Sequence, residues 1–237
     1  MSGSSDSEAL EGFLGKWRAR WPEWSVVEVF VPHGQRRLAL AWFSLLQEFE
    51  DAMNIAGDPL PADAKLGWWA QELRDWSQQR SRHPLGRILE PHDAPWSTLA
   101  DALSRLAHAR SRPLDQDTAF VTVEPLARAI GNVEVALFGG TLHPDHVQAI
   151  AARLLAARLQ DADMQGVPMR IVGQQATTVE GWAENLLARW PIRGAGPVPR
   201  RLLSALGQLR LRRSLLQGGR PMHRLPILWC GWRAARG

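Results

Sequence analysis

The 237-residue chain contains a single cysteine, Cys230, no tyrosine, and only two lysines, Lys16 and Lys65. One thiol excludes a disulfide scaffold and any multi-cysteine zinc or iron–sulfur site, and makes a reducing compartment the default. No apolar stretch approaches the ~20 residues that a membrane span needs. Met1 to Glu8 is polar and acidic, without the basic start and apolar run of a secretory signal, so the expected location is the cytoplasm. The scarcity of lysine and tyrosine beside abundant arginine and alanine fits a GC-rich genome and carries no functional information. No nucleophile elbow, HExxH helix or phosphate-cradling glycine loop is present. His143 and His146 are three residues apart, but Pro144 lies between them and no third ligand accompanies them.

Acidic residues run out as well: none follows Glu184. Residues 185–237 hold eleven arginines, whereas residues 1–184 hold 17 basic and 24 acidic groups, a net of −7. Against this stands a wealth of tryptophan, twelve in all, and 45% hydrophobic residues, enough for one globular domain with a buried core.

The hydrophobic period is helical along most of the chain. Helices are expected over 35–54, 63–80, 85–89, 96–110, 123–138, 146–164 and 177–189, with a last long one from Pro199 to about Gln217. Gly139-Gly140 reads as a helix stop, and Thr177 with Glu180 as a capping box. The best strand candidate is Val26–Val31. The reading is an all-α single domain of about seven or eight helices. Residues 1–27 form a partly disordered, tryptophan-containing lead, and residues 28–237 form the helical domain with an arginine-rich C-terminal helix and tail.

Glu50 and Asn54 share a helical face one turn apart, with Asp51 about 100° round, a spacing of oxygen ligands that suits a hard cation such as magnesium. The same spacing also describes an acidic face meeting water. Asp161 and Asp163 form a second oxygen cluster, with Arg158 a turn earlier. The arginine tail invites a nucleic-acid reading, but Leu202, Leu203, Leu206, Leu209 and Leu211 thread through it. A packed helix with a basic rim, able to approach anionic lipid headgroups, is therefore expected in place of nucleic-acid binding.

Several segments together resemble the squalene/phytoene synthase family, an all-α branch of the isoprenoid synthases. Phe30-Val31-Pro32, then Arg36 or Arg37, then Leu38 to Phe43 looks like the family's opening turn and alanine-rich helix. Gln47 to Asn54 falls where the family carries its first aspartate-rich motif, DDxxD. Lys65-Leu66-Gly67-Trp68-Trp69-Ala70-Gln71-Glu72-Leu73 is similar to the "RLxWWRDEL" segment, and His83-Pro84-Leu85 matches the "HPL" that follows it. The resemblance continues through Leu126 to Gly139 into the final helix, covering roughly residues 28–237. It implies an isoprenoid-synthase-like helical bundle. Active members join two prenyl diphosphates head to head, using magnesium ions to draw off diphosphate and an aromatic-lined tunnel to shield the carbocation. Carried over, Glu50, Asp51, Asn54 and Asp163 would hold magnesium, and Arg36, Arg37 and Arg158 would face diphosphate. Trp42, Trp68 and Trp69 are candidates to line the tunnel, although tryptophans at helical spacing also read as core.

The departures matter equally. One aspartate of the first motif is Glu50 and its last carboxylate is the amide Asn54. Aligning Arg158 with the arginine of the second motif puts Leu155 and Leu159 at ligand positions, and leucine cannot bind a metal. Two functions follow as expectations: a divergent magnesium-dependent prenyltransferase, or a non-catalytic relative that binds a lipid or a protein partner. The expected ligand is a prenyl diphosphate or another isoprenoid lipid, with peripheral contact at the inner face of the membrane.

Overall fold

Twelve α-helices and no strand make up the described residues of this computed structural model, which are 2–55, 59–106, 112–162, 166–172, 178–191, 194–217 and 223–237. In chain order they are α1 (Ser2–Arg20), α2 (Trp24–Val27), α3 (Arg36–Met53), α4 (Pro59–Trp76), α5 (Gly86–Leu89) and α6 (Trp96–Leu106). They continue with α7 (Gln116–Phe138), α8 (Pro144–Ala162), α9 (Met169–Val172), α10 (Thr178–Arg189), α11 (Val198–Gln217) and α12 (Arg224–Arg236). Short 3-10 turns at Glu28–Phe30 and His33–Gln35 lead into α3. The fold is all-α, as the hydrophobic period implies. None of the described helices is long and apolar enough to cross a membrane.

Helix α3 occupies the centre, packing on α1, α4, α5 and α8, and buries residues on every side, from Leu38 and Trp42 to Phe49 and Ala52. A helix buried round most of its circumference belongs inside a bundle. Helices α7 and α8 fold back on each other through the Gly139–His143 connection. Gly139 takes φ 84°, which suits glycine, and its N–H closes the α7 end on the Val135 carbonyl at 2.9 Å. At the other end the Asp115 carboxylate accepts the Thr118 N–H at 2.9 Å, an N-cap that starts α7 two turns before the expected Val123. Pro125 rides within this helix on its exposed side.

Two expectations are corrected. Val26–Val31 is not a strand: α2 runs into the 3-10 turn, and the buried residues are Trp24, Val27 and Val31, spaced by three and four. The valine alternation is apparent only; the buried set follows the helical period. Nor is the N-terminal segment a loose lead. It forms α1, whose Leu10, Leu14, Trp17 and the following Trp21 are buried at the same spacing against α3. The Thr177 cap and the helix end at 107–110 lie outside the described residues.

Nine of the twelve tryptophans are buried, so the tryptophan content is chiefly core. Trp17, Trp24 and Phe43 form one nest, with ring centroids 5.3 to 5.7 Å apart. Trp96 meets Trp76 at 5.2 Å and Trp42 at 6.2 Å in a second. Such aromatic pairs add about 0.5–1.5 kcal/mol beyond burial. Because α1 completes the first nest, Leu14→Ala is expected to lower the unfolding free energy by about 2–4 kcal/mol in urea titration. A loss below about 0.5 kcal/mol would mean that α1 is not part of the core.

Candidate functional site

The helices that carry the candidate acids, α3 and α8, do meet, and their contact is polar. Glu50 on α3 and Arg153 on α8, both buried, form an ion pair. Around it lie Arg20 and Trp21 from α1 and its exit, Gln47 from α3, Gln160 from α8, Trp190 after α10, and Gly207 and Arg210 from α11, lining a cavity of about 40 Å³. That volume holds a few waters, whereas ligand pockets run to about 300–1,000 Å³.

Each cation at this mouth has its own carboxylate. Arg153 is paired with Glu50, Arg20 lies 3.3 Å from Asp51, and Arg210 is paired with Glu23. Two of the guanidinium groups share one aromatic ring: Arg210 lies 3.8 Å from the Trp21 ring centre and Arg153 5.3 Å. Trp21 donates to Gln47 at 3.4 Å, and Gln47 donates to Asp51 at 2.8 Å. Burial pushes the Glu50 carboxyl above its ordinary range, and the Arg153 guanidinium pulls it back only in part.

Deeper in the bundle sits a second buried carboxylate, Glu134 of α7. It accepts from Trp42 Nε1 at 2.8 Å and from Arg200 Nε at 2.9 Å to both oxygens, and it pairs with His146 Nε2 at 2.7 Å. Burial alone would raise its pKa, but Arg200 and His146 hold it down at about 2. The contrast with Glu50 follows from donor count: three side chains donate to Glu134 and one to Glu50.

A third such acid organises the segment that carries the strongest family resemblance. Glu72, fully buried on α4, accepts from the backbone N–H of Arg82 at 2.7 Å and of His83 at 2.8 Å, and from Trp76 Nε1 at 2.9 Å. Burial opposes its ionisation, but these donors keep its pKa below the ordinary value. His83 is wedged against the rings of Phe13 at 4.5 Å and Trp69 at 4.6 Å, and its Nδ1 accepts the Leu85 N–H at 3.2 Å. The tryptophan-rich segment and the His-Pro-Leu turn are thereby clasped together, which gives these residues a structural role.

The other candidates scatter. Asp51 turns away from Glu50 toward Arg20, and Asn54 caps the end of α3, its N–H donating to the Glu50 carbonyl at 3.0 Å. Glu48 pairs with Lys65 at 2.9 Å. Asp163 lies outside the described residues. Arg36 and Arg37 sit at the opposite end of α3, ~20 Å from Glu50 at 1.5 Å rise per residue. Arg36 donates to the carbonyls of Val31 and Val29 at 3.1 Å, and Arg37 pairs with Glu11 at 3.0 Å. Arg158 stands on the far part of α8, where Leu155 and Leu159 are buried among apolar neighbours. His146 is buried against Glu134 while His143 is exposed beside Asp145. Trp42 and Trp69 are core, and Trp68 is exposed. Among the described residues no three His, Cys, Asp or Glu side chains come together as a metal set.

A larger open cavity of about 530 Å³ lies where the α7–α8 turn meets the start of α11, lined by Gln35, Phe138, Thr141, His143, Gly196 and Arg201 among others. None of its lining residues is acidic. Arg201 spends its guanidinium on the carbonyls of Ala234, Ala235 and Gly196, at 2.7 to 3.0 Å. Comparison with known proteins adds no family: no family model, no curated protein and no solved structure matches the chain.

The sequence reading missed Glu134, Arg153 and Arg200, although each is a lone charge inside an apolar helical stripe, which is a legible sign of a buried pair. Removing one member of such a pair costs about 3–5 kcal/mol, whereas an apolar replacement of both is often neutral. Arg153→Met and Glu50→Leu are each expected to lose that much in urea unfolding, and the double variant to regain most of it. Small, additive losses would show that the pair contributes little.

Acid sensitivity has two stages. Burial holds His83 at about 4 against an ordinary 6.5, so between these values the unfolded chain binds a proton that the folded chain refuses. Stability therefore falls as pH drops from 6.5 toward 4. Glu134, held at about 2 against 4.5, adds a further loss below pH 4.5 by the same sign. His83→Asn keeps an acceptor for the Leu85 N–H and is expected to flatten the first stage in thermal melts while leaving the second. An unchanged slope between pH 6.5 and 4 would remove His83 from the account.

Proposed function

We propose that the chain is a non-catalytic relative of the squalene/phytoene synthases, a helical bundle that works by binding and not by prenyl transfer. The observation that carries this reading is the Glu50–Arg153 ion pair. In the chemistry that the resemblance implies, acids on two facing helices hold magnesium ions, and the ions hold diphosphate. Here one helix offers the acid and the other an arginine. A divalent ion at Glu50 would face a guanidinium within contact distance and would have to break a buried pair to bind.

Three further points support it. The matched charges around the small cavity leave no surplus of positive charge for diphosphate. The cavity is too small for a prenyl chain. Leu155 and Leu159 bury apolar side chains at the positions where the second motif requires ligands.

Incubation with farnesyl or geranylgeranyl diphosphate and magnesium is expected to release no diphosphate and give no condensed product. Inorganic diphosphate with magnesium is expected to leave the melting temperature unchanged, since a ligand that binds the folded state must raise it. Magnesium-dependent diphosphate release that Asp51→Ala abolishes would overturn the reading.

A further inference from the structure

Helix α12 is amphipathic twice over. Its inner stripe, Ile227, Gly231 and Ala234, packs against α11 and the α2 region. The fit at Gly231 is close: a Cβ there would lie 2.6 Å from Val27 Cγ1 and 3.0 Å from Val27 Cβ, both on an immobile branched side chain. Arg201 holds the far end through the Ala234 and Ala235 carbonyls. The orientation of the helix is thereby fixed.

Its outer stripe is apolar as well. Leu225 is 78% exposed, Leu228 40%, Trp229 60% and Trp232 36%. These positions fall at i, i+3, i+4 and i+7, one continuous face. Val29, 55% exposed, stands on the neighbouring 3-10 turn that packs on α12. Trp229 and Trp232 stack with ring centres 4.9 Å apart, and Arg236 covers Trp232 at 4.3 Å. Of the three tryptophans not buried, two are here. Arg224 and Arg233 are exposed on the same helix, and neither α11 nor α12 carries an acidic residue.

We propose that this outer face of α12 docks on an anionic lipid bilayer, with Leu225, Leu228, Trp229 and Trp232 entering the headgroup–acyl boundary and Arg224, Arg233 and Arg236 contacting lipid phosphates. Charge complementarity selects this occupant. Of the eleven arginines in residues 185–237, Arg189, Arg200 and Arg210 are paired with acids of the body, whereas Arg224, Arg233 and Arg236 are exposed beside the stripe with no acid on their helix, so this face is attracted to a negatively charged plane. The stripe projects from the surface, where a bilayer can receive it, and tryptophan beside arginine is the composition favoured at a membrane interface. Peripheral attachment needs no spanning helix. It is also independent of whether the bundle is catalytic, because diphosphate release tests one and vesicle binding the other.

The test is sedimentation of the full chain with vesicles of phosphatidylcholine alone and with about 30% phosphatidylglycerol. Binding is expected to the anionic vesicles only, weakening as salt rises. Trp229→Ser/Trp232→Ser is expected to reduce binding about tenfold or more, and Arg233→Glu about fivefold or more. All three side chains are at the surface, so both variants should melt like the parent. Should the tryptophan variant misfold, Arg233→Glu alone carries the test. Equal binding to neutral and anionic vesicles, or variants that bind as the parent does, would overturn the proposal. So would failure to bind vesicles together with Trp229-dependent self-association or capture of a protein partner.

Discussion

Four helices meet at one buried carboxylate. Glu134 on α7 receives Trp42 from α3, His146 from α8 and Arg200 from α11, partners separated from it by 92, 12 and 66 residues. A carboxylate left short of donors at that depth is strongly destabilising, so each of the three must be in place for the bundle to reach its full stability. The requirement sets more than position. Arg200 also lies over the Phe43 ring at 5.6 Å, tying the node to the aromatic nest that α1 completes. Gly196, at φ 93°, lies where any side chain would meet the His146 ring, at 2.7 Å from its Cδ2. Backbone, aromatic packing and charge therefore agree on one arrangement of α3, α7, α8 and α11.

The Glu50–Arg153 pair extends the same logic toward the surface, with Arg20, Asp51, Arg210 and Glu23 as its outer members. Charges alternate from the mouth to the centre, and each has an opposite within contact. A metal–diphosphate site is built the other way, with surplus carboxylate facing empty space until ions and substrate neutralise it. The two designs are alternatives at a single location. Under the proposed reading, a centre neutralised from within offers little driving force for recruiting ions.

The sequence made the central helices legible because each repeats apolar residues at three and four over several turns, as α3 does from Leu38 to Met53. The ends were illegible for two different reasons. In α1 the apolar residues are few, Leu10, Phe13, Leu14 and Trp17, among glycine and serine, and burial comes from α3, where Phe43 packs on Trp17 from 26 residues away. In α12 both faces are apolar, so no single stripe stands out, and Pro226 obscures its first turn. The candidate site was half legible. The residues at 50, 51 and 54 could be placed on one helix, but their partners could not, since Arg153 lies 103 residues from Glu50. A local spacing reads as a metal motif whenever the opposing helix is unseen. Arg153, set in the Ala/Leu run of α8, was a local clue that this carboxylate is answered by a guanidinium.

The arginines after Glu184 then divide by depth. Arg200 and Arg201 are spent inward, on Glu134 and on the carbonyls that end α12, and Arg210 is spent on Glu23. These three are structural, and they consume acids or carbonyls supplied by the rest of the chain. Arg224, Arg233 and Arg236 lie on a helix with no acid of its own, beside tryptophans that the core does not use. Self-pairing cannot neutralise them as it neutralises the centre. On this face, and not at Glu50 and Asp51, exposed arginines and uncovered apolar surface lie together, the combination that an anionic interface satisfies.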